Sequence, residues 1–181
     1  MNRAQIALFG LVTTVALAAD AKITRTGTPS VTFQASGPAG MKIVGTTSDL
    51  DVDDQGGKVV IRVPLRNLTT GIALRDDHMR NKYLQVGSYP NAELTVDRAS
   101  INFPPPPGDG STQGDANGTM AIHGQTHNVS FHYILARTSG VLRVRGVTHL
   151  NISDYGISVP SYLGVTVKPD IDVEVQFTAT E

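Results

Sequence analysis

The sequence has 181 residues, enough for one domain with a substantial core and too few for two comfortable ones. Its 15 basic and 16 acidic residues nearly balance, so the net charge predicts neither a nucleic-acid partner nor attraction to an anionic membrane surface. There is no cysteine, which excludes disulfides, thiol nucleophiles and zinc thiolates.

The first residues have the layout of a secretory signal peptide. Arg3 gives a basic start, an uncharged and mostly apolar run continues to Ala19, and small residues follow in A-x-A patterns. We expect a signal peptide over residues 1–19, cleaved between residues 18 and 22, and a periplasmic or secreted domain over 22–181. A membrane anchor is the weaker alternative, because the run is short for a spanning helix. No later segment predicts a membrane span.

In four segments apolar and polar residues alternate one by one, which is typical of half-buried strands: 58–66, 92–98, 128–133 and 170–178. Their apolar faces are predicted to point into a core and carry Ile61, Val63, Leu94, Val96, Phe131, Tyr133, Val173, Val175 and Phe177.

Weaker strands are predicted over residues 30–35, which include Phe33, and over 41–45, 141–145 and 149–153. Glycine-containing turns separate the strands, and many short strands at this spacing indicate an antiparallel sandwich or a closed barrel. The proline-rich and glycine-rich run 104–118 predicts a flexible surface loop.

Residues 72–84 are the one segment predicted to be helical. Asp76 lies early and Arg80 late, which suits the helix dipole, and their i,i+4 spacing predicts an ion pair. Met79 and Tyr83 share a face by the same spacing.

His78 follows Asp76 and Asp77, which raises the question of a catalytic pair. Neighbours one and two positions apart on a helix point in different directions, so a hydrogen-bonded structural histidine is the better interpretation. His123 and His127 flank a turn, but zinc usually takes at least three protein ligands. We therefore predict no catalytic residue and no metal site.

Three blocks in a fixed order carry a family resemblance: residues 67–94, residues 118–131, and the run from 152 to 177. The first contains a threonine, an Arg-Asp-x-His-hydrophobic helix and a Tyr-Pro step; the second is a Gly-x-Met-x-Ile-His-Gly hairpin; the third begins Asp-Tyr-Gly-Ile at Asp154. Over residues 27–178 the sequence resembles the YceI family of bacterial exported proteins. It departs from the family in its first strand, which lacks the usual His-Ser step, and in the long proline-rich run.

The resemblance implies an all-β, lipocalin-like antiparallel barrel of about eight strands with one short helix near residues 72–84. Its apolar interior would hold a polyisoprenoid or a similar long lipid chain, an isoprenoid or quinone-like lipid being the only bound group implied. The interior contacts implied are Phe33, Ile61, Val63, Leu94, Val96, Phe131, Tyr133, Tyr155, Val173, Val175 and Phe177, and the family-motif helix carries Arg75, Asp76, His78 and Met79.

Three functions stay open for such a barrel. The first is an exported lipid-binding or carrier protein without enzymatic activity, for which the barrel openings are compatible with a homodimer. The second is an enzyme acting on a lipid or quinone in the same barrel, which would need inward titratable groups, whereas His132, Asp172 and Glu174 are predicted to face outward. The third is a ligand-free structural or stress-response barrel.

Overall fold

The computed structural model of this protein describes residues 22–101, 108–162 and 165–180. The predicted signal peptide, residues 1–19, lies outside the described residues, as do the prolines at 104–107.

Strands dominate the described chain. Their bounds are β1 Thr24–Ser36, β2 Lys42–Thr47, β3 Asp51–Gln55, β4 Lys58–Pro64, β5 Asn91–Asp97, β6 Gly110–Ile122, β7 Gln125–Thr138, β8 Val141–Asn151, β9 Ser161–Tyr162, β10 Val165–Thr166 and β11 Asp170–Thr180. Within the described residues, nine of them form one sheet in the order β2-β1-β11-β8-β7-β6-β5-β4-β3, while β9 and β10 pair separately.

Every neighbouring pair in the large sheet is antiparallel, and the sheet is curled so that β1 also lies against β3. The all-β, barrel-like fold predicted from alternation is therefore confirmed, with nine strands in place of about eight. The alternation works because successive side chains of a strand point to opposite faces of the sheet. In β11, for example, Phe177 is buried while Asp172 is exposed.

The predicted loop over residues 104–118 is wrong for residues 110–118, which form the first part of β6 and pair with β7. Its glycines misled the prediction because glycine weakens a strand in isolation, but here neighbours fill the space that a side chain would take. A Cβ at Gly118 would lie 2.8 Å from the Thr95 carbonyl oxygen, and one at Gly114 would lie 3.1 Å from the Tyr133 hydroxyl.

The predicted helix over residues 72–84 is confirmed in position but not in winding. An α-helical turn, α1, spans Ala73–Asp77, and a π-helical segment continues over His78–Tyr83. The backbone N–H of Leu84 donates to the Met79 carbonyl at 2.9 Å, the i→i−5 bond of a π-helix. Short 3₁₀ turns lie at Pro38–Gly40, Arg98–Ser100 and Ile152–Tyr155. No helix in the described ranges has the length and apolar character needed to cross a bilayer.

The two ends of the barrel differ. At the first, which we call the closed end, Leu142 of β8 and its pairing partner Ala179 of β11 are only 1 % and 0 % exposed. There the buried Asp54 carboxylate accepts a hydrogen bond from the Ile23 N–H at 2.8 Å and pairs with Arg98 at 3.2 Å. These contacts tie β1 to β3, so this end has a packed plug.

At the other end, which we call the mouth, the β1–β2 and β6–β7 turns lie beside the end of β8 and the start of β11. The Lys168 N–H donates to the Ser36 carbonyl at 2.7 Å, which holds the segment after β10 against the end of β1. A bridge between Thr46 and Thr69 fixes the approach to α1 along the edge of β2. The helix therefore lies at the mouth.

Candidate functional site

The curled sheet encloses a cavity of about 690 Å³ that opens at the mouth. This volume lies in the range of roughly 300–1,000 Å³ that is usual for small-molecule sites. Its wall comes from the inward faces of the strands and from the helical segment, and it is built mainly of aliphatic and aromatic side chains. The arrangement suits an apolar chain far better than a polar substrate.

All of the predicted interior residues lie on this one wall: Phe33, Ile61, Val63, Leu94, Val96, Phe131, Tyr133, Tyr155, Val173, Val175 and Phe177. Contact of these side chains with a ligand stays a prediction. The helix contributes Arg75, His78 and Met79 to the wall, whereas Asp76 does not line the cavity.

Sequence reasoning missed other parts of the wall. Leu135 continues the alternation of Phe131 and Tyr133 and could have been found by extending that pattern along β7. Ile43, Leu68 and Ile101 also line the cavity, and the last two lie outside strands, where alternation gives no signal. Whether a residue outside a strand lines the cavity depends on the folded chain, and alternation along the sequence cannot predict it.

Polar side chains are few on the described wall, and none of the described lining residues is an aspartate or a glutamate. Thr148 donates its hydroxyl to the Ser130 carbonyl at 2.9 Å, and Arg145 is held by two hydrogen bonds to Glu174. Arg75, His78 and Lys168 complete the basic groups of the wall. The described wall therefore carries basic side chains and no carboxylate.

Asp76 fastens the helix to the chain that precedes it. Its carboxylate accepts hydrogen bonds from the Thr69 and Thr70 hydroxyls and from the Thr70 N–H at 2.7 Å. Burial raises the pKa of Asp76, but these hydrogen bonds outweigh it and hold the pKa below its ordinary value. Arg75 donates to the Thr70 hydroxyl and carbonyl at 2.7 and 2.9 Å, so the family-motif pair clamps one threonine.

The ion pair predicted between Asp76 and Arg80 is wrong as a direct contact. Arg80 donates to the Leu68 carbonyl at 3.2 Å and acts on Asp76 only as the smallest of the influences on its pKa. The physical reason is that two threonine hydroxyls from the segment before the helix already donate to this carboxylate. Spacing within the helix gives no information about that segment.

His78 is half-buried on the cavity wall, and its side chain makes no hydrogen bond to any described residue. The prediction of a histidine side chain held by hydrogen bonds is therefore wrong; the ring lies on the mainly apolar cavity wall, where hydrogen-bonding partners are few. The carboxylate of Asp77 accepts a hydrogen bond from Asn81 at 2.7 Å and is not paired with His78. The described residues thus contain no aspartate–histidine pair at this position.

The other histidines lie away from the cavity wall. The His123 Nδ1 donates to the Tyr155 carbonyl at 3.1 Å, and the His127 ring packs edge-on against Tyr155 at 5.1 Å between centroids. His132 pairs with Asp115 and His149 with Asp172, both at 2.9 Å on the outer face. Across ranges 22–101, 108–162 and 165–180 there is no cluster of three or more side chains suited to hold a metal ion.

Comparison with solved structures supports the fold. A polyisoprenoid binding domain from Saccharophagus degradans superposes with a TM-score of 0.71 at 16 % identity, over 88 % of this chain and 97 % of that one. BcnA of Burkholderia cenocepacia gives 0.65 at 13 % identity, over 84 % and 96 % of the two chains. A mutant YceI protein of Campylobacter jejuni gives 0.50 at 13 % identity, over 100 % and 99 %.

No curated protein matches the sequence closely enough to count as a relative. The family model described as the YceI-like domain, however, matches residues 18–179. That range contains the helix, the residues that line the cavity and all of the described sheet except Thr180. The chain therefore belongs to the YceI family.

Proposed function

We propose that this protein is an exported lipid-binding or carrier protein that holds a polyisoprenoid or a similar long apolar chain in its cavity. The observation that carries the proposal is the cavity of about 690 Å³ with its nearly continuous apolar wall. The solved polyisoprenoid binding domain of Saccharophagus degradans, which has the same fold, supports the choice of ligand class.

The energetics favour an occupied cavity. An empty cavity of this size would leave the aliphatic and aromatic side chains of its wall without packing partners on one side. Water would find few hydrogen-bonding partners on such a wall. A lipid chain gains about 0.8 kcal/mol for each CH₂ group that leaves water, so a long chain is the natural occupant.

The proposed protein binds the lipid and does not convert it chemically. The polar groups on the described wall include no carboxylate and no pairing of a base with a nucleophile, and the outward side chains of His132, Asp172 and Glu174 do not line the cavity. Turnover of the bound lipid would need such a pair within hydrogen-bond reach.

The test is native mass spectrometry of the purified protein, followed by organic extraction and identification of the released lipid. We expect a bound isoprenoid-like chain that is lost on extraction and regained when the delipidated protein is mixed with a long polyisoprenoid. A protein that is empty after purification and takes up no such chain would contradict the proposal.

Phe131 and His132 give a matched pair of variants for this test. Phe131 lies on the cavity wall and His132 is its exposed neighbour on the same strand. Phe131→Asp should lose the lipid or unfold, because the buried carboxylate has no partner there, whereas His132→Asp should keep it. Normal lipid carriage by a folded Phe131→Asp variant would show that this wall does not hold the ligand.

Export is supported by the signal-peptide layout of residues 1–19. Sequencing the N-terminus of the protein recovered outside the cytoplasm should give a start between residues 19 and 22. Recovery there of a chain that still begins at Met1 would contradict a cleaved signal.

A further inference from the structure

The mouth carries large apolar side chains that face solvent. Ile72 and Leu74 are 54 % and 57 % exposed, and Met41 and Val165 are 38 % and 42 % exposed. All four also line the cavity, and they come from three separate segments: the β1–β2 turn, the start of α1 and β10. We call these four residues the rim. An apolar patch of this kind on a protein surface marks a contact site.

A cation accompanies each segment of the rim. Lys42 follows Met41, Arg75 follows Leu74, and Lys168 comes three residues after Val165. Lys42 and Lys168 are exposed and form no ion pair with any residue in the described ranges. Two carboxylates near this end face other groups: Asp77 accepts a hydrogen bond from Asn81, and Asp170 lies beside Asn151 and His149. The rim therefore combines exposed apolar side chains with two lysines that pair with no described carboxylate.

We propose that the rim docks on the surface of an anionic lipid bilayer, where the cavity opens toward the lipid. The inference rests on the proposed function, since a carried lipid has to move between a bilayer and the cavity. A lipid chain that crossed water would expose apolar surface on the way, which is unfavourable. Apolar side chains at the acyl boundary, with lysines at the headgroups, remove that barrier. The balanced net charge of the chain did not predict membrane docking, because it does not show that these cations lie together beside the rim.

The absence of cysteine makes a site-by-site test available. Single variants Ile72→Cys and Leu74→Cys, each carrying an environment-sensitive fluorophore, are compared with Val44→Cys and Val141→Cys. Val44 and Val141 are exposed to a similar degree, 43 % and 38 %, but do not line the cavity. We expect a blue shift at positions 72 and 74 with vesicles of phosphatidylglycerol and phosphatidylcholine, and none at positions 44 and 141.

Equal spectra at all four positions on addition of vesicles would overturn the proposal. A blue shift at positions 72 and 74 without vesicles, growing with protein concentration, would also overturn it, since a second copy of the chain would then cover the rim. Because the comparison is between label positions in one chain, vesicle binding by another part of the chain would not produce the selective shift.

Charge variants test the anionic part of the proposal. Lys42→Gln and Lys168→Gln should each weaken binding to the anionic vesicles about fivefold and leave the weak binding to pure phosphatidylcholine unchanged. Lys58→Gln, at the closed end, is the control. Unchanged binding in both rim variants would overturn docking on anionic lipid. The lipid content of each preparation is measured separately, so a protein that carries lipid but ignores vesicles refutes the docking alone.

Discussion

Asp76 and Asp77 are adjacent in the sequence, yet their carboxylates have different surroundings. Asp76 is 5 % exposed and accepts hydrogen bonds from two threonines, while Asp77 is exposed and accepts one from Asn81. The Asp76 carboxylate joins the helix to the chain before it, whereas the Asp77 carboxylate contacts only a neighbouring side chain on the helix surface. His78, the next residue, reaches the cavity wall. Three consecutive polar residues thus have a structural, a surface and a cavity position.

Asp76→Asn should destabilise the fold, because an amide cannot accept all the donors that the carboxylate satisfies. We expect a loss of about 2–3 kcal/mol in the free energy of unfolding at neutral pH, and a loss below 0.5 kcal/mol for the control Asp77→Asn. Urea unfolding of both variants beside wild type measures the difference. Equal midpoints for the two variants would show that the threonine clamp does not hold the helix.

The same clamp predicts a pH dependence. The pKa of Asp76 in the folded protein lies below its ordinary value of 3.8, so its stabilising contribution is complete above that value and is lost as the pH falls through the lower folded-state pKa. The stability gap between wild type and Asp76→Asn should therefore narrow in strong acid. Unfolding curves at neutral pH and in the acid range check this, and a gap that widens in acid would contradict it.

His78→Ala should loosen lipid retention and cost little stability, because the ring lines the cavity and makes no hydrogen bond to a described residue. A chelator should change neither property. The measurements are the rate of lipid loss to an acceptor and the melting temperature, with His132→Ala as the control on the outer face. Unchanged retention together with loss of a measurable reaction on the lipid would favour an enzyme over a carrier.

At the scale of the elements, alternation predicted the strands and their inward faces well. It failed at β6, whose glycines fit against Tyr133 and Thr95, a contact between distant residues that no local pattern contains. Helical spacing placed the segment from 72 to 84 but could not predict its π-winding, because the i,i+3 and i,i+4 pattern does not distinguish the two windings. The rim was missed for a related reason, since its residues come from three separate segments that only the fold brings together.

Gly146 offers a way to fill the cavity without disturbing the sheet. It lies on the wall in β8, and a Cβ added there would meet no heavy atom within 4 Å. Gly146→Leu should therefore fold normally and carry less lipid or a shorter chain, as extraction and mass spectrometry would show. Gly110→Leu is the matched control, since Gly110 is equally uncrowded but does not line the cavity. Equal lipid content in both variants would contradict the assignment of this cavity.

At the scale of the whole molecule, one end of the barrel is packed and supports the fold, and the other end opens into the cavity. At the closed end Leu142 and Ala179 are buried and Asp54 pairs with Arg98. At the mouth the cavity is open. The packed closed end supports the barrel whether or not the cavity is occupied. Lipid then adds to the stability only through the surface that it buries on the cavity wall.

Removing the lipid should therefore lower the melting temperature without unfolding the protein at ambient temperature. A ligand that binds only the folded state stabilises it by RT ln(1 + [L]/Kd), or about 2.7 kcal/mol at a hundredfold excess over Kd. The melting temperature of the delipidated protein should rise again with added polyisoprenoid and rise less for shorter chains, since each CH₂ group contributes about 0.8 kcal/mol. Scanning calorimetry of loaded, stripped and reloaded protein measures this. The same melting temperature in all three states would mean that the cavity does not bind the lipid, and that the barrel is stable when empty.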